Sequence, residues 1–419
     1  MTALMPHPMP ARAGKLALLC TLAALAAWLP SGPARAQGFQ ESITAAQRFD
    51  PTFQVALTNV ANRRLQSREA RAAFFPSASV NYTRADIASS GASYGVSITQ
   101  PLLSYDRYLT LQQVDPIAAL AVAEERQARN DLALRLFRVM ADIVRNREAI
   151  RANGVQIESL ETQLRRAQRM RELGQGTITE ISDYEVRVAV AQANRVSLQS
   201  ALDSGLRNFA LVTGLQGAPE RITVDDAVRG NRPPEEASFV ARVRETTTSV
   251  VNARQSLRLQ EIATKRVNAE YLPQVVAVAG TGRSAGVAGS YTDTRVSIVL
   301  SAPLGAGQLY NRQRVANDLL RAQESLRSAQ ETSAIEAQRL LRSAQALESE
   351  VRIRERAVEV ARQALEGNIR SFQGGVKSNI DVLTSIQNLS DTQVALANSR
   401  VARVEALLSI ELLDPEAAR

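Results

Sequence analysis

Glu180 and Asp381 are the acids whose placement most invites a chemical reading, because each follows a glycine by six residues. The chain runs Arg171-Glu-Leu-Gly-Gln-Gly-Thr-Ile-Thr-Glu180-Ile181 in one place and Phe372-Gln-Gly-Gly-Val-Lys-Ser-Asn-Ile-Asp381-Val382 in another. Matched carboxylates could serve as general acid and base or attract cations. Just past a glycine turn they could equally cap a helix N-terminus, where the backbone dipole favours an acid. Little else supports catalysis. The only Cys (Cys20), the only His (His7) and the only Trp (Trp28) all fall within residues 1–36, a segment read below as removed. The remaining chain therefore has no thiolate, no imidazole, no Ser-His pair and no nitrogen or sulfur metal ligand. Lys265 and Lys377 are its only lysines. We expect no catalytic residue, no metal and no cofactor; a carboxylate-dependent hydrolase is disfavoured because both acids sit at turns between helical arms, with no evident pocket.

Those turns belong to a duplicated unit. Phe75-Pro76 precedes a β-patterned stretch that closes on Gln100-Pro101-Leu102, and Leu272-Pro273 precedes another that closes on Ala302-Pro303-Leu304. Hairpin entry, hairpin exit, glycine turn and acid recur in the same order at an offset of roughly two hundred residues, a period too large for a short solenoid repeat. Over 132–209 apolar residues return every seven positions: Leu136, Ile143, Ile150, Ile157 and Leu164, then Ile181, Val188, Leu202 and Phe209 after the glycine break. The second copy has Leu326, Leu340 and Leu347, then Val351, Val358, Leu365 and Phe372. A sustained 3.5-residue period keeps one seam facing a partner helix, so each pair of arms should fold back as an antiparallel coiled-coil hairpin with the glycines at its tip. An arm spanning 116–173 would be on the order of 85 Å long. Asp115-Pro116 marks either its start, with Asp115 as cap, or a kink.

Between the helical stretches, 77–83, 94–102, 274–279 and 295–300 alternate small or polar with apolar residues, joined pairwise by Gly/Ser/Ala-rich loops. Strands of about ten residues suffice to cross a bilayer when tilted. Seven of the eight tyrosines, Tyr82, Tyr94, Tyr105, Tyr108, Tyr271, Tyr291 and Tyr310, lie in or beside these hairpins, as in the aromatic girdles of outer-membrane barrels. Four strands cannot close a barrel, and open edges are not tolerated in lipid, so the barrel must be shared among several chains.

The N-terminus carries Arg12 and Lys15, an apolar run over 16–29 and Ala34-Arg35-Ala36, the pattern of a secretory signal peptide. Cys20 lies inside the apolar run and is a poor lipidation cysteine. The formal charge of +8 falls to about +5 without this segment. The arginines alternate with glutamates on helical faces, as over 348–359, which is the pattern of i,i+4 pairs rather than of a nucleic-acid surface. The chain divides into a signal peptide (1–36), repeat 1 (37–213, β-hairpin about 77–104, turn at 174–176), a linker or equatorial belt (214–234, with Gly217-Ala-Pro219, Asp225-Asp226 and Pro233-Pro234), repeat 2 (235–413, β-hairpin about 274–303, turn at 374–375) and a tail (414–419).

With Leu211-Val-Thr-Gly214 added, the paired hairpin entries and exits and the two glycine-turn-acid motifs together resemble the TolC family of outer-membrane efflux and secretion channels, over essentially the whole mature length. The resemblance implies a mainly α fold with β: duplicated long helical hairpins forming a periplasmic tunnel, and four strands per chain contributing to a trimeric twelve-stranded outer-membrane β-barrel. It implies a homotrimer in outer-membrane lipid, working as exit duct for type I protein secretion or multidrug efflux with a periplasmic adaptor and an inner-membrane ABC or RND transporter, without nucleic acid. Carried over by position, Asp381 matches an acid of the pore constriction, and Thr384 stands where some members place a second acid. Phe372 stands where a tyrosine often makes a latch hydrogen bond, which a phenyl ring cannot donate. Lys377 matches a latch arginine, and Glu180 an acid that meets that base. Leu173-Gly174-Gln175 and Gly374-Gly375-Val376 match the tips that meet adaptors. The alternative is a periplasmic coiled-coil adaptor or structural protein, which would share the helical hairpins but lack tyrosine-flanked strands.

Overall fold

The computed structural model describes residues 38–84, 92–215, 224–228, 230, 233–286, 289–301 and 307–414. The signal segment 1–36, Gly217-Ala-Pro219, Ala302-Pro303-Leu304 and residues 415–419 lie outside them. Each repeat begins with two short helices: α1 (Phe39–Phe49) and α2 (Pro51–Ala72) in the first, α6 (Glu236–Thr246) and α7 (Thr248–Ala269) in the second. Strands β1 (Ser77–Arg84) and β2 (Ala92–Leu103) follow α2, and β3 (Gln274–Gly286) and β4 (Gly289–Ser301) follow α7. The long arms come next: the short α3 (Tyr105–Gln112), then α4 (Val114–Glu172) and α5 (Ile178–Thr213) in repeat 1, and α8 (Gly307–Gln373) and α9 (Asn379–Leu413) in repeat 2. At 1.5 Å per residue α4 is about 88 Å long and α8 about 100 Å.

Local chemistry sets these boundaries. Asp50 accepts a bond from the Thr52 N–H and stands before Pro51, so α2 opens with a cap and a pre-set φ. The same Asp50 carboxylate is buried and paired with Arg135 of α4. At Asp115-Pro116 the chain starts a helix rather than kinking one. The cap position falls to Gln113, not Asp115, because α3 runs almost directly into α4 and places both Asp115 and Pro116 in the first turn.

The heptad rows face the helical seams. Leu136, Ile143 and Ile157 of α4 are buried, as are Ile181, Val188 and Phe209 of α5. A cluster midway along the rods packs Leu132, Leu136, Phe137 and Met140 against Phe209 and against Phe39, whose ring meets Phe137 edge-on at 6.3 Å. Here the belt closes on the rods: the Asp226 carboxylate accepts the Phe39 N–H at 3.0 Å and so caps α1 from 187 residues away. Phe239 and Val243 of α6 bury against Leu340, Leu341, Leu407 and Ile410, and Arg242 pairs at 2.8 Å with the fully buried Asp414.

The four strands form one antiparallel sheet in the order β1-β2-β3-β4, so the two repeats meet between β2 and β3. The helices keep that order. Near the sheet α2 packs on α4, α4 on α7 and α7 on α8; further down, α5 packs on α4, α4 on α9 and α9 on α8. One flank of the protomer is thus α2, β1 and α5, and the other is β4 and α8. No helix among the described residues is long and apolar enough to cross a membrane.

Candidate functional site at the hairpin tips and the sheet

Both tips reverse on a left-handed glycine, Gly174 at φ +75° and Gly375 at φ +72°. An L side chain at either position strains the backbone, which is why the tip sequences need glycine. The loops then re-enter helices by side-chain caps. Thr177 accepts the Glu180 N–H at 3.2 Å, and Ser378 accepts the Asp381 N–H at 3.3 Å while Asp381 accepts the Ser378 N–H at 2.9 Å, a complete capping box. Leu173 and Val376 project from the tips, 70% and 81% exposed, and Gln175, Gly374 and Gly375 are exposed beside them.

Asp381 carries a second relation: Lys377 Nζ lies 3.7 Å from its carboxylate. The Ser378 backbone and hydroxyl bonds, and then the Lys377 charge, hold the Asp381 carboxyl below its ordinary range. Within the protomer Lys377 therefore faces Asp381, and no ion pair joins it to Glu180 among the described residues. Glu180 is half-buried, Thr384 is exposed one turn beyond Asp381, and Phe372 is half-buried against the seam.

That seam joins the two hairpins. Ile157, Leu160, Ile181 and Tyr184 of the first pack with Leu365, Val382, Leu383 and Ile386 of the second. Gln156 donates to Gln387 Oε1 at 2.7 Å across it, and Asn368 donates to Ser385 Oγ at 2.6 Å within the second hairpin. Residues not singled out by sequence complete the site. The Arg166 guanidinium lies 5.7 Å from the centre of the Phe372 ring. The Tyr184 hydroxyl is buried without a hydrogen-bond partner, and its pKa is pushed up to about 12, first by burial and then by the Glu180 carboxylate. Both polar atoms of the Asn379 side chain, at the first position of α9, are also unpartnered. Arg166 lies two residues past a heptad position and carries no signal of its own.

The sheet is the other unusual surface. Directly paired residues share a face, so Val80, Tyr82, Tyr94, Val96, Ile98, Val296, Ile298 and Leu300 line one side, each 46% or more exposed. The other side carries Ser77, Ser79, Asn81, Ser93, Ser97, Asp293, Arg295 and Ser297, and a cavity lined by Asn81, Ser97, Asp293, Arg295 and Ser297 among others marks it as the concave one. Polar inside and apolar outside is the signature of a strand set that faces lipid outward and water inward.

Comparison with known proteins agrees with that geometry. No protein-family model matches the chain. It is 24% identical to the alkaline protease secretion protein AprF of Pseudomonas aeruginosa over 397 residues, 87% of this chain and 82% of the relative. It is 22% identical to the proteases secretion protein PrtF of Dickeya chrysanthemi, covering 75% and 71%, and 21% identical to the outer membrane protein TolC of Vibrio cholerae, covering 90% of each. Among solved structures, CusC superposes with a TM-score of 0.72 at 14% identity over 90% of this chain and 91% of that one. The outer membrane protein VceC of Vibrio cholerae gives 0.68 at 17% over 90% and 95%.

A lipid-facing strand quartet set on paired coiled-coil rods defines an outer-membrane channel protein that extends into the periplasm. The chain is similar along most of its length to TolC and to the secretion proteins AprF and PrtF. The alternative of a periplasmic adaptor gains no support, since the relatives are secretion and outer-membrane channel proteins.

Proposed function

We propose that three copies of this chain close into one channel-tunnel, which serves as the exit duct for protein secretion or efflux and catalyses no reaction itself. The observation that carries this reading is that strand edges and apolar helix faces lie unpartnered on the same two flanks. β1 and β4 are the free edges of the sheet. Beneath β1, α5 presents Ile178, Val186, Val190 and Val196, 55–67% exposed; at 100° per residue these fall within about a third of its circumference, opposite the buried row. Beneath β4, α8 presents Leu320, Ile335, Ile353 and Val360, 60–66% exposed, opposite buried Leu340 and Val351. Laying α5 and β1 of one copy against α8 and β4 of the next satisfies both at once. Three such joints give twelve strands and no edge, as lipid requires.

The names of AprF and PrtF favour a secreted protein as cargo. In this reading the exposed tips, Leu173-Gly174-Gln175 and Gly374-Gly375-Val376, receive a periplasmic adaptor, which links the duct to an inner-membrane ABC or RND transporter. Asp381 forms a three-fold acidic ring at the periplasmic constriction, with Thr384 beside it and no second acid. Lys377, Glu180 and Phe372 contribute to closure, Lys377 exchanging Asp381 for Glu180 when protomers meet.

Deleting the gene and comparing culture supernatants and drug susceptibility tests the reading. Loss of an extracellular protein supports secretion, and raised susceptibility with an unchanged supernatant supports efflux. No change in either overturns the exit-duct assignment.

A further inference from the structure

The apolar face of the sheet carries two charges among its described residues, and both are arginines at the loop end. Arg84 is the last residue of β1 and Arg283 stands three from the end of β3. The register puts them on one face: Tyr82 pairs with Tyr94, Tyr94 with Arg283, and Arg84 lies two residues further on, opposite Ala92. Both side chains are exposed. Neither meets a carboxylate among the described residues; Arg283 donates to Ser290 Oγ at 3.1 Å, while Asp293 pairs with Arg295 on the concave face. Strands ~4.8 Å apart and ~3.4 Å per residue place the two backbone positions about 12 Å apart, within reach of one headgroup.

An arginine facing hydrocarbon is costly at mid-depth and tolerated near the interface. Both arginines sit where the strands end, beside the tyrosine pair that marks the headgroup level. Their planar forks match phosphate oxygens, and no carboxylate among the described residues pairs with them. We propose that Arg84 and Arg283, with Tyr94 and Tyr82 level with Arg283 and one step below Arg84, bind the phosphates of an anionic lipid headgroup in the leaflet at the loop end of the barrel. The patch rests on the outer-membrane reading and adds a lipid site to it.

The test uses the full mature chain in detergent, with bis-phosphorylated lipid A, its dephosphorylated form, or inorganic phosphate as probe, and native mass spectrometry as readout. The wild type should retain the bis-phosphorylated lipid at least tenfold more tightly than Arg84→Gln/Arg283→Gln. The Arg84→Lys/Arg283→Lys pair should fall between them. The dephosphorylated lipid should bind no better than to the Gln variant, and inorganic phosphate should not displace the lipid. Equal retention by wild type and Gln variant, equal binding of the dephosphorylated lipid, or displacement by inorganic phosphate would overturn the proposal. A heat-modifiable oligomer in the same samples separates the two claims: with it present, equal retention removes only the patch; with it absent from wild type, the barrel reading falls as well.

Discussion

Arg166 of the first hairpin covers the ring of Phe372 of the second at 5.7 Å, so a cation–π contact spans the two hairpins of one protomer beside the tip. Such a contact contributes ~0.5–1 kcal/mol where exposed and ~2 where desolvated. It needs no hydrogen-bond donor on the ring, and so supplies an attachment that Phe372 cannot make as a tyrosine would. Arg166→Ala should loosen the periplasmic end and raise the mean single-channel conductance in planar bilayers, with Arg166→Lys intermediate and Phe372→Ala at least as large. Conductance unchanged in both alanine variants would assign the pair to packing alone.

Asp381 links tip stability to pH. Its folded pKa is depressed below the ordinary 3.8 by the Ser378 bonds and then by Lys377, so its contribution is present above that value and is lost as pH falls through the folded pKa. A spin label at Val376 should gain mobility as pH drops below about 4, and Asp381→Asn should be mobile at neutral pH with little further change. In bilayers the same variant should weaken cation selectivity and block by multivalent cations from the periplasmic side. Selectivity unaffected by the variant would leave Asp381 a helix cap and no more.

Tyr184 offers the opposite sign. Its hydroxyl is buried without a partner, so Tyr184→Phe removes an unsatisfied group while keeping the ring. The variant should be as stable as the wild type or more stable, by up to ~1 kcal/mol per chain. Thermal unfolding that showed a loss of that size would mean the hydroxyl has a partner in the assembled protein.

The tip turns rank their own substitutions. With Gly375 at φ +72°, Asn should be tolerated best, Ala less and Val least, because only Gly and Asn visit the left-handed region readily. Export should fall in that order, and Gly375→Trp or Gly174→Trp should abolish it with the barrel still inserted. Normal export by a Trp variant at confirmed expression would remove that tip from the adaptor contact.

Much of this was legible in the sequence because periodicity and turn chemistry are local. The 3.5-residue rows through Leu136 and Ile181, the glycines at 174 and 375 and the tyrosine-flanked alternation at 77–103 each report the conformation of their own segment. What the sequence did not disclose are partners set by tertiary approach. Asp226 capping Phe39, Asp414 under Arg242 and Arg166 over Phe372 join residues 172 to 206 positions apart, or 187 in the first case. Lys377 is instructive. The resemblance pointed it at Glu180, whereas within one protomer the i,i+4 spacing on a helix start brings it to Asp381.

The central claim is that no single copy of this chain is complete. Mature protein extracted from membranes in detergent should have the mass of three chains by light scattering corrected for bound detergent. Val186→Glu or Val360→Glu, placing a charge on the α5 or α8 flank, should shift that mass toward one chain. A wild-type protein of one-chain mass, released without detergent, would contradict the account.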